Sequence, residues 1–170
     1  SYLVAVFCVL LSYESDYLFR SQELNLFLYT PLFFQQKLVV AGGLLSYLGT
    51  YFTQFFYHPW LGTLLLCLWL ALLTWLVKVT FRIPDQWAPL MLIPAALLLI
   101  IDFDLGYWIY YIKLTGHLYV AVIGTTLAVS LVLAYRWLAA KKMWAGLVWM
   151  GVAAVVAYPM AGVYGLVAIV

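Results

Sequence analysis

The stretch LGTLLLCLWLALLTWLV, residues 61–77, has no charged side chain, and it decides what surrounds the chain. Extended to His58–Val79, it supplies the roughly 20 apolar residues needed to cross about 30 Å of hydrocarbon. Only 8% of the 170 residues are charged and 68% are hydrophobic, where a soluble domain averages about 25% charged. So few charges cannot cover an aqueous surface, and the solvent is therefore lipid. The net charge of +2, with no basic cluster, argues against a nucleic-acid partner. Cys8 and Cys67 lie in apolar runs and read as buried thiols rather than a disulfide or a metal pair.

The same reasoning predicts spans at about 1–13 (clipped), 58–79, 87–106, 117–138 and 143–158, with another starting from 161. There is no polar linker, so residues 1–170 read as a single transmembrane domain. Both termini lie in apolar sequence, which suggests an N-terminal fragment of a longer polytopic protein. Lys78, Arg82, Arg136, Lys141 and Lys142 are five of the eight basic residues and fall in two of the loops. The positive-inside rule makes those two loops cytoplasmic. The N-terminus is then cytoplasmic, and residues 14–57 and 102–116 lie outside.

That first outer loop is too apolar to float in water. Pro31 and Gly42-Gly43 divide it, and residues 16–29 and 44–57 both have helical periodicity. In the second piece Ser46, Thr50, Thr53 and Tyr57 share one face, and leucines and aromatics cover the rest. A helix lying in the interface or re-entering the membrane fits this pattern. Fourteen Tyr and eight Trp suit interfacial belts. The expected fold class is all-α: a polytopic transmembrane helix bundle with membrane-parallel or re-entrant helices in its first outer loop.

Four charges crowd into YESDYLFRSQELNLF, residues 13–27: Glu14, Asp16, Arg20 and Glu23. Asp16, Arg20 and Glu23 are spaced i, i+4, i+7, one face of a helix. The ordinary reading is an ion-paired stripe at headgroup level, worth at most about 1 kcal/mol. The sharper reading is a catalytic or metal-binding carboxylate, because ionisable groups near the membrane are costly and often functional. Asp102 and Asp104 form a second acidic pair. On an extended segment residues two apart face one way, and oxygen ligands suit a divalent cation such as Mg or Mn. The ordinary reading there is a solvated loop after a helix end. His58 and His117 sit in separate segments and make no metal site. No nucleotide-binding glycine loop, Cys-x-x-Cys or His-Glu-x-x-His is present.

This layout resembles the N-terminal part of a multi-pass glycosyltransferase of the GT-C type, in which an acidic first outer loop accompanies membrane-parallel helices. The stretch AGGLLSYLGTYFTQFFYHPWLG, residues 41–62, resembles an uncharacterised bacterial family of multi-pass membrane proteins with a domain of unknown function. In GT-C enzymes the first outer loop supplies the catalytic acid or base, which the resemblance places at Glu14 or Asp16. The long C-terminal regions of such enzymes, which bind acceptor, have no counterpart in this sequence.

Two functions follow as expectations. In the first, the protein transfers a sugar from a polyprenyl-linked donor on the outer face of a bacterial inner membrane. Asp16 or Glu14 is the general base, Asp102 and Asp104 hold a divalent metal, and Arg20, Glu23 and Lys113 bind substrate, the two cations through phosphate. The aromatic helices of residues 33–57 hold the polyprenyl chain. In the second, the bundle is a non-catalytic anchor or assembly subunit of an envelope complex, in contact with other membrane subunits. A transporter fits less well, because no span carries an ionisable residue at its centre.

Overall fold

The computed structural model describes residues 2–13, 15–106, 116, 118–141 and 143–168. Among these the fold is all-α. The helices are α1 (Tyr2–Tyr13), α2 (Ser15–Leu24), α3 (Pro31–Leu38), α4 (Gly43–Thr53), α5 (Pro59–Phe81), α6 (Ile93–Gly106), α7 (Tyr119–Lys141), α8 (Met143–Ala161) and α9 (Val163–Val167). Short 3-10 segments, Gln54–Tyr57 and Asp85–Leu92, lead into α5 and α6.

Local chemistry sets the helix ends. Pro59 opens α5 at a first-turn position, where its missing N–H costs nothing. At the other end Arg82 takes a left-handed conformation, φ 51°, and its N–H bonds the Lys78 carbonyl. Pro84 follows and bars further helix. The Thr30 side chain caps α3 by accepting from the Phe33 N–H at 3.3 Å. With 23 residues, α5 is about 35 Å long, enough to cross hydrocarbon. Among the described residues three helices are long and apolar enough to do so: Pro59–Phe81, Tyr119–Ala140 and Trp144–Ala161. They mark the chain as a membrane protein.

The stretch expected to span over 87–106 is built in two pieces. Residues 85–92 are a 3-10 segment containing Pro89, with Trp87 off helical geometry, and α6 has only 14 residues. Pro89 and Pro94 both withhold a backbone donor there, so one continuous α-helix does not form.

Two hydrogen bonds show how the long helices run. At their starts the Tyr119 hydroxyl donates to the Gly62 carbonyl at 2.7 Å. At their ends the Arg136 guanidinium donates to the Thr80 carbonyl. Helices α5 and α7 are therefore parallel. Helix α8 returns antiparallel, with the Trp149 indole N–H donating to the Leu131 carbonyl at 3.4 Å. Leu66 and Leu70 of α5, Val122 and Ile123 of α7 and Ala95 and Leu99 of α6 share one core with Leu10 of α1 and Leu18 of α2. In lipid such packing depends on close approach rather than escape from water.

Helix α4 rests against this bundle. A Cβ on Gly49 would lie 2.3 Å from a Val120 methyl and 3.3 Å from the Gly116 carbonyl, so only glycine permits the contact. Of the polar stripe read from the sequence, Thr50 and Thr53 are turned into protein, Ser46 is half-buried and Tyr57, past the end of α4, is exposed. Thr50 and Thr53 are buried, and their hydroxyls donate to the Ser46 and Gly49 carbonyls, both at 2.7 Å. In apolar surroundings that spares each hydroxyl the cost of an unmade bond.

Candidate functional site

The best-defined polar site gathers α2, the end of α4 and the turn before α7. Helix α2 buries Leu18 and Ser21, and Asn25, the residue just past its end, is buried on the same side, a spacing of i, i+3, i+7. Asn25, the chain's only asparagine, is 6% exposed. Its side-chain carbonyl accepts the Gly116 N–H at 2.9 Å, and its amide donates to the Ser21 carbonyl at 3.0 Å. Gln54 donates to the Asn25 backbone carbonyl and, at 3.2 Å, to that of Thr50. Gln22 donates to the Gln54 side chain at 3.3 Å. Neutral amides thus tie together segments 91 residues apart in sequence. The Ser21 hydroxyl lies within this knot, fully buried and without a hydrogen-bond partner among the described residues.

An aromatic layer adjoins the knot. The Phe27 ring meets Tyr47 at 4.9 Å, Tyr51 at 5.4 Å and Phe33 at 5.5 Å. Phe52 continues the layer to Trp69 and Tyr119. Lys37 places its ammonium 5.5 Å from the Phe33 ring centre and donates to the Ser46 hydroxyl at 3.3 Å. Partial burial pushes the Lys37 pKa down from its usual 10.5.

Behind α4 lies a cavity of about 370 Å³ lined only by apolar side chains, among them Leu44 and Leu48 of α4, Leu127 and Leu131 of α7 and Val156 and Met160 of α8. Two membrane-length helices and α4 form its walls, and it is a half-open groove.

Of the residues singled out in the sequence, Glu14 and Lys113 lie outside the described residues. Asp16 and Arg20 fall on the α2 backbone, and Asp102 and Asp104 on that of α6; their side chains also lie outside the described set. Glu23 is exposed on α2. The alternation that set Asp102 and Asp104 on one side belongs to an extended segment. The backbone there is helical through Gly106, and helical positions two apart are about 200° around the axis. Among the described residues no three His, Cys, Asp or Glu side chains gather in a metal-binding group. Sequence reasoning missed Ser21, Gln22, Asn25 and Gln54. The usable signal was a lone asparagine in an apolar chain, since a buried amide needs partners.

Residues 1–170 match a family of unknown function, DUF6057. The chain belongs to this family. No curated protein and no solved structure matches it. For this DUF6057 chain the site itself therefore carries the functional argument.

Proposed function

We propose that the chain is the lipid-gripping part of a glycosyltransferase that draws on a polyprenyl-linked sugar at the outer face of a bacterial inner membrane. The observation that carries this reading is the wholly apolar cavity between α4, α7 and α8. Its volume falls in the range of ligand pockets, its walls are membrane-length helices, and its lining has no polar group to select anything but a hydrocarbon chain. The Gln22–Asn25–Gln54 knot fixes the helix that bears Asp16. In this reading residues 14–57 lie outside, and the Lys78–Arg82 and Arg136–Lys142 segments lie in the cytoplasm. Asp16 or Glu14 takes the acceptor's proton. One of Asp102 and Asp104, which the α6 backbone sets on opposite sides of the helix, contributes to a divalent-metal site against the donor diphosphate, while Arg20, Glu23 and Lys113 position the substrate.

One observation favours the second reading, an anchor or assembly subunit in contact with other membrane subunits. The polar knot closes on itself, and none of the described cavities has a described acid in its wall. A transfer assay with the full-length protein in native membranes separates the two. Under the enzyme reading, polyprenyl-linked donor is consumed, and Asp16→Asn abolishes this while expression stays normal. Unchanged turnover in Asp16→Asn would remove Asp16 from the chemistry, and no turnover with any polyprenyl-linked donor would favour the anchor.

A further inference from the structure

At the opposite end of the long helices, a cleft of about 500 Å³ opens between the last turns of α5 and α7, lined by Val79, Thr80, Arg82, Tyr135, Arg136 and Trp137 among others. We propose that this cleft binds the phosphate of an anionic membrane phospholipid. The proposal stands whether or not the protein transfers sugar.

The cations in the cleft are only partly explained by the fold. Arg136 uses one N–H to cap the Thr80 carbonyl. A guanidinium has five donors in a rigid fork, so this anchor holds the group and leaves further donors on a residue that lines the cleft. Arg82 contributes the second guanidinium from the left-handed residue that ends α5. The two helix C-termini carry about half a negative charge each, which alone would repel an anion. Two guanidiniums outweigh them, leaving the cleft positive by about one charge.

Thr80 is the independent sign of a ligand. It is 1% exposed, and its hydroxyl has no hydrogen-bond partner among the described residues. Threonines 50, 53, 63, 74, 125 and 126 all donate to the carbonyl four residues back. Thr80 has the same helical opportunity and does not use it. A buried hydroxyl without a partner costs about 1–3 kcal/mol; Thr80 lines the cleft, and a phosphate oxygen there offers an acceptor once the side chain turns its hydroxyl outward.

The site's position selects a lipid over a free anion. The cleft lies where two membrane-length helices end. Its remaining wall, Leu133, Ala139 and Ala140, is apolar. Trp137 at its rim is 60% exposed, as suits an interfacial anchor. A phosphate with a glycerol and acyl chains matches both halves, and basic pockets between membrane helices recognise such headgroups.

The test is native mass spectrometry of the full-length protein in mild detergent, titrated with phosphatidylglycerol or phosphatidylcholine. Phosphatidylglycerol should be retained preferentially. Arg82→Gln should weaken its retention about fivefold, and Arg82→Gln with Arg136→Gln about thirtyfold, from the usual contribution of one basic residue near a membrane surface. Arg136 also caps α5, so Thr80→Val provides a second probe that breaks no bond within the fold. It should weaken retention about fivefold while the melting temperature of the lipid-free protein rises, because the unpartnered hydroxyl is gone. Lys37→Gln, at the other end of the helices, should leave retention unaltered. Equal retention of the two lipids, or indifference to Arg82→Gln and Thr80→Val, would overturn the proposal. Displacement of the lipid by millimolar inorganic phosphate would overturn the lipid assignment and make this a free-phosphate site.

Discussion

Replacing Asn25 by alanine should destabilise the protein more than any substitution of the charged residues beside it. The side chain makes two hydrogen bonds, one from the Gly116 N–H at 2.9 Å and one to the Ser21 carbonyl at 3.0 Å. A net bond contributes about 1 kcal/mol, but a buried donor left unpaired costs about 1–3 kcal/mol. Gly116 is buried, and the Asn25 side-chain carbonyl is the acceptor its N–H meets. The expected loss is about 2–4 kcal/mol, against at most about 1 kcal/mol for an exposed charge pair. Thermal unfolding in detergent measures the total, and hydrogen exchange at the Gly116 amide reads the bond directly. Asn25→Asp sharpens the test. It keeps an acceptor for Gly116 but turns a second oxygen toward the Ser21 carbonyl, so the buried carboxyl favours its protonated form and its folded pKa rises. The variant is then most stable below the ordinary carboxyl pKa and loses stability as pH rises through the raised one. Wild-type melting and a still-protected Gly116 amide in Asn25→Ala would refute the reasoning.

Gly49→Ala should cost about 1–3 kcal/mol, because the new methyl meets a Val120 methyl at 2.3 Å; Val120→Ala in the same chain should recover part of this in a melting series. The depressed pKa of Lys37 means that the unfolded chain binds more protons between the lowered value and 10.5, so stability should rise with pH across that alkaline window. Lys37→Met should flatten that rise in melting curves taken from pH 8 upward, by about 1 kcal/mol per pH unit at most. Single cysteines introduced beside Lys37 should react with an impermeant thiol reagent from outside intact cells, and those beside Arg82 should not; the reverse would invert the proposed orientation.

The apolar spans were legible because a lipid solvent demands long uncharged runs, and α5 differs from the expected 58–79 by only a residue or two at each end. The 87–106 stretch was harder. Composition marks it as apolar, but Pro89 and Pro94 divide its backbone, and hydropathy does not register a missing N–H. The polar stripe of α4 showed in its spacing, since a helix that buries Thr50 and Thr53 must put them on one face. The knot did not show. Asn25 reaches a partner 91 residues away, a distance set by how α2 and α7 pack and by nothing local. Charges drew the eye in residues 13–27, whereas uncharged Asn25 and Gln54 make the described contacts between elements. The Thr80 site was hidden for a related reason: its missing bond appears only beside six threonines that make theirs.

The central claim is that the cavity behind α4 holds a polyprenyl chain, and a photoreactive polyprenyl phosphate tests it most directly. With the full-length protein in native membranes, the label should map by peptide mass to Leu131, Val156 and Met160 in the cavity wall. Filling the space with Val152→Phe, another residue of the wall, should abolish the labelling while the protein still accumulates. Label spread over Val148 and Val155, which are exposed and outside the wall, and unaffected by Val152→Phe, would show ordinary lipid contact and contradict the claim.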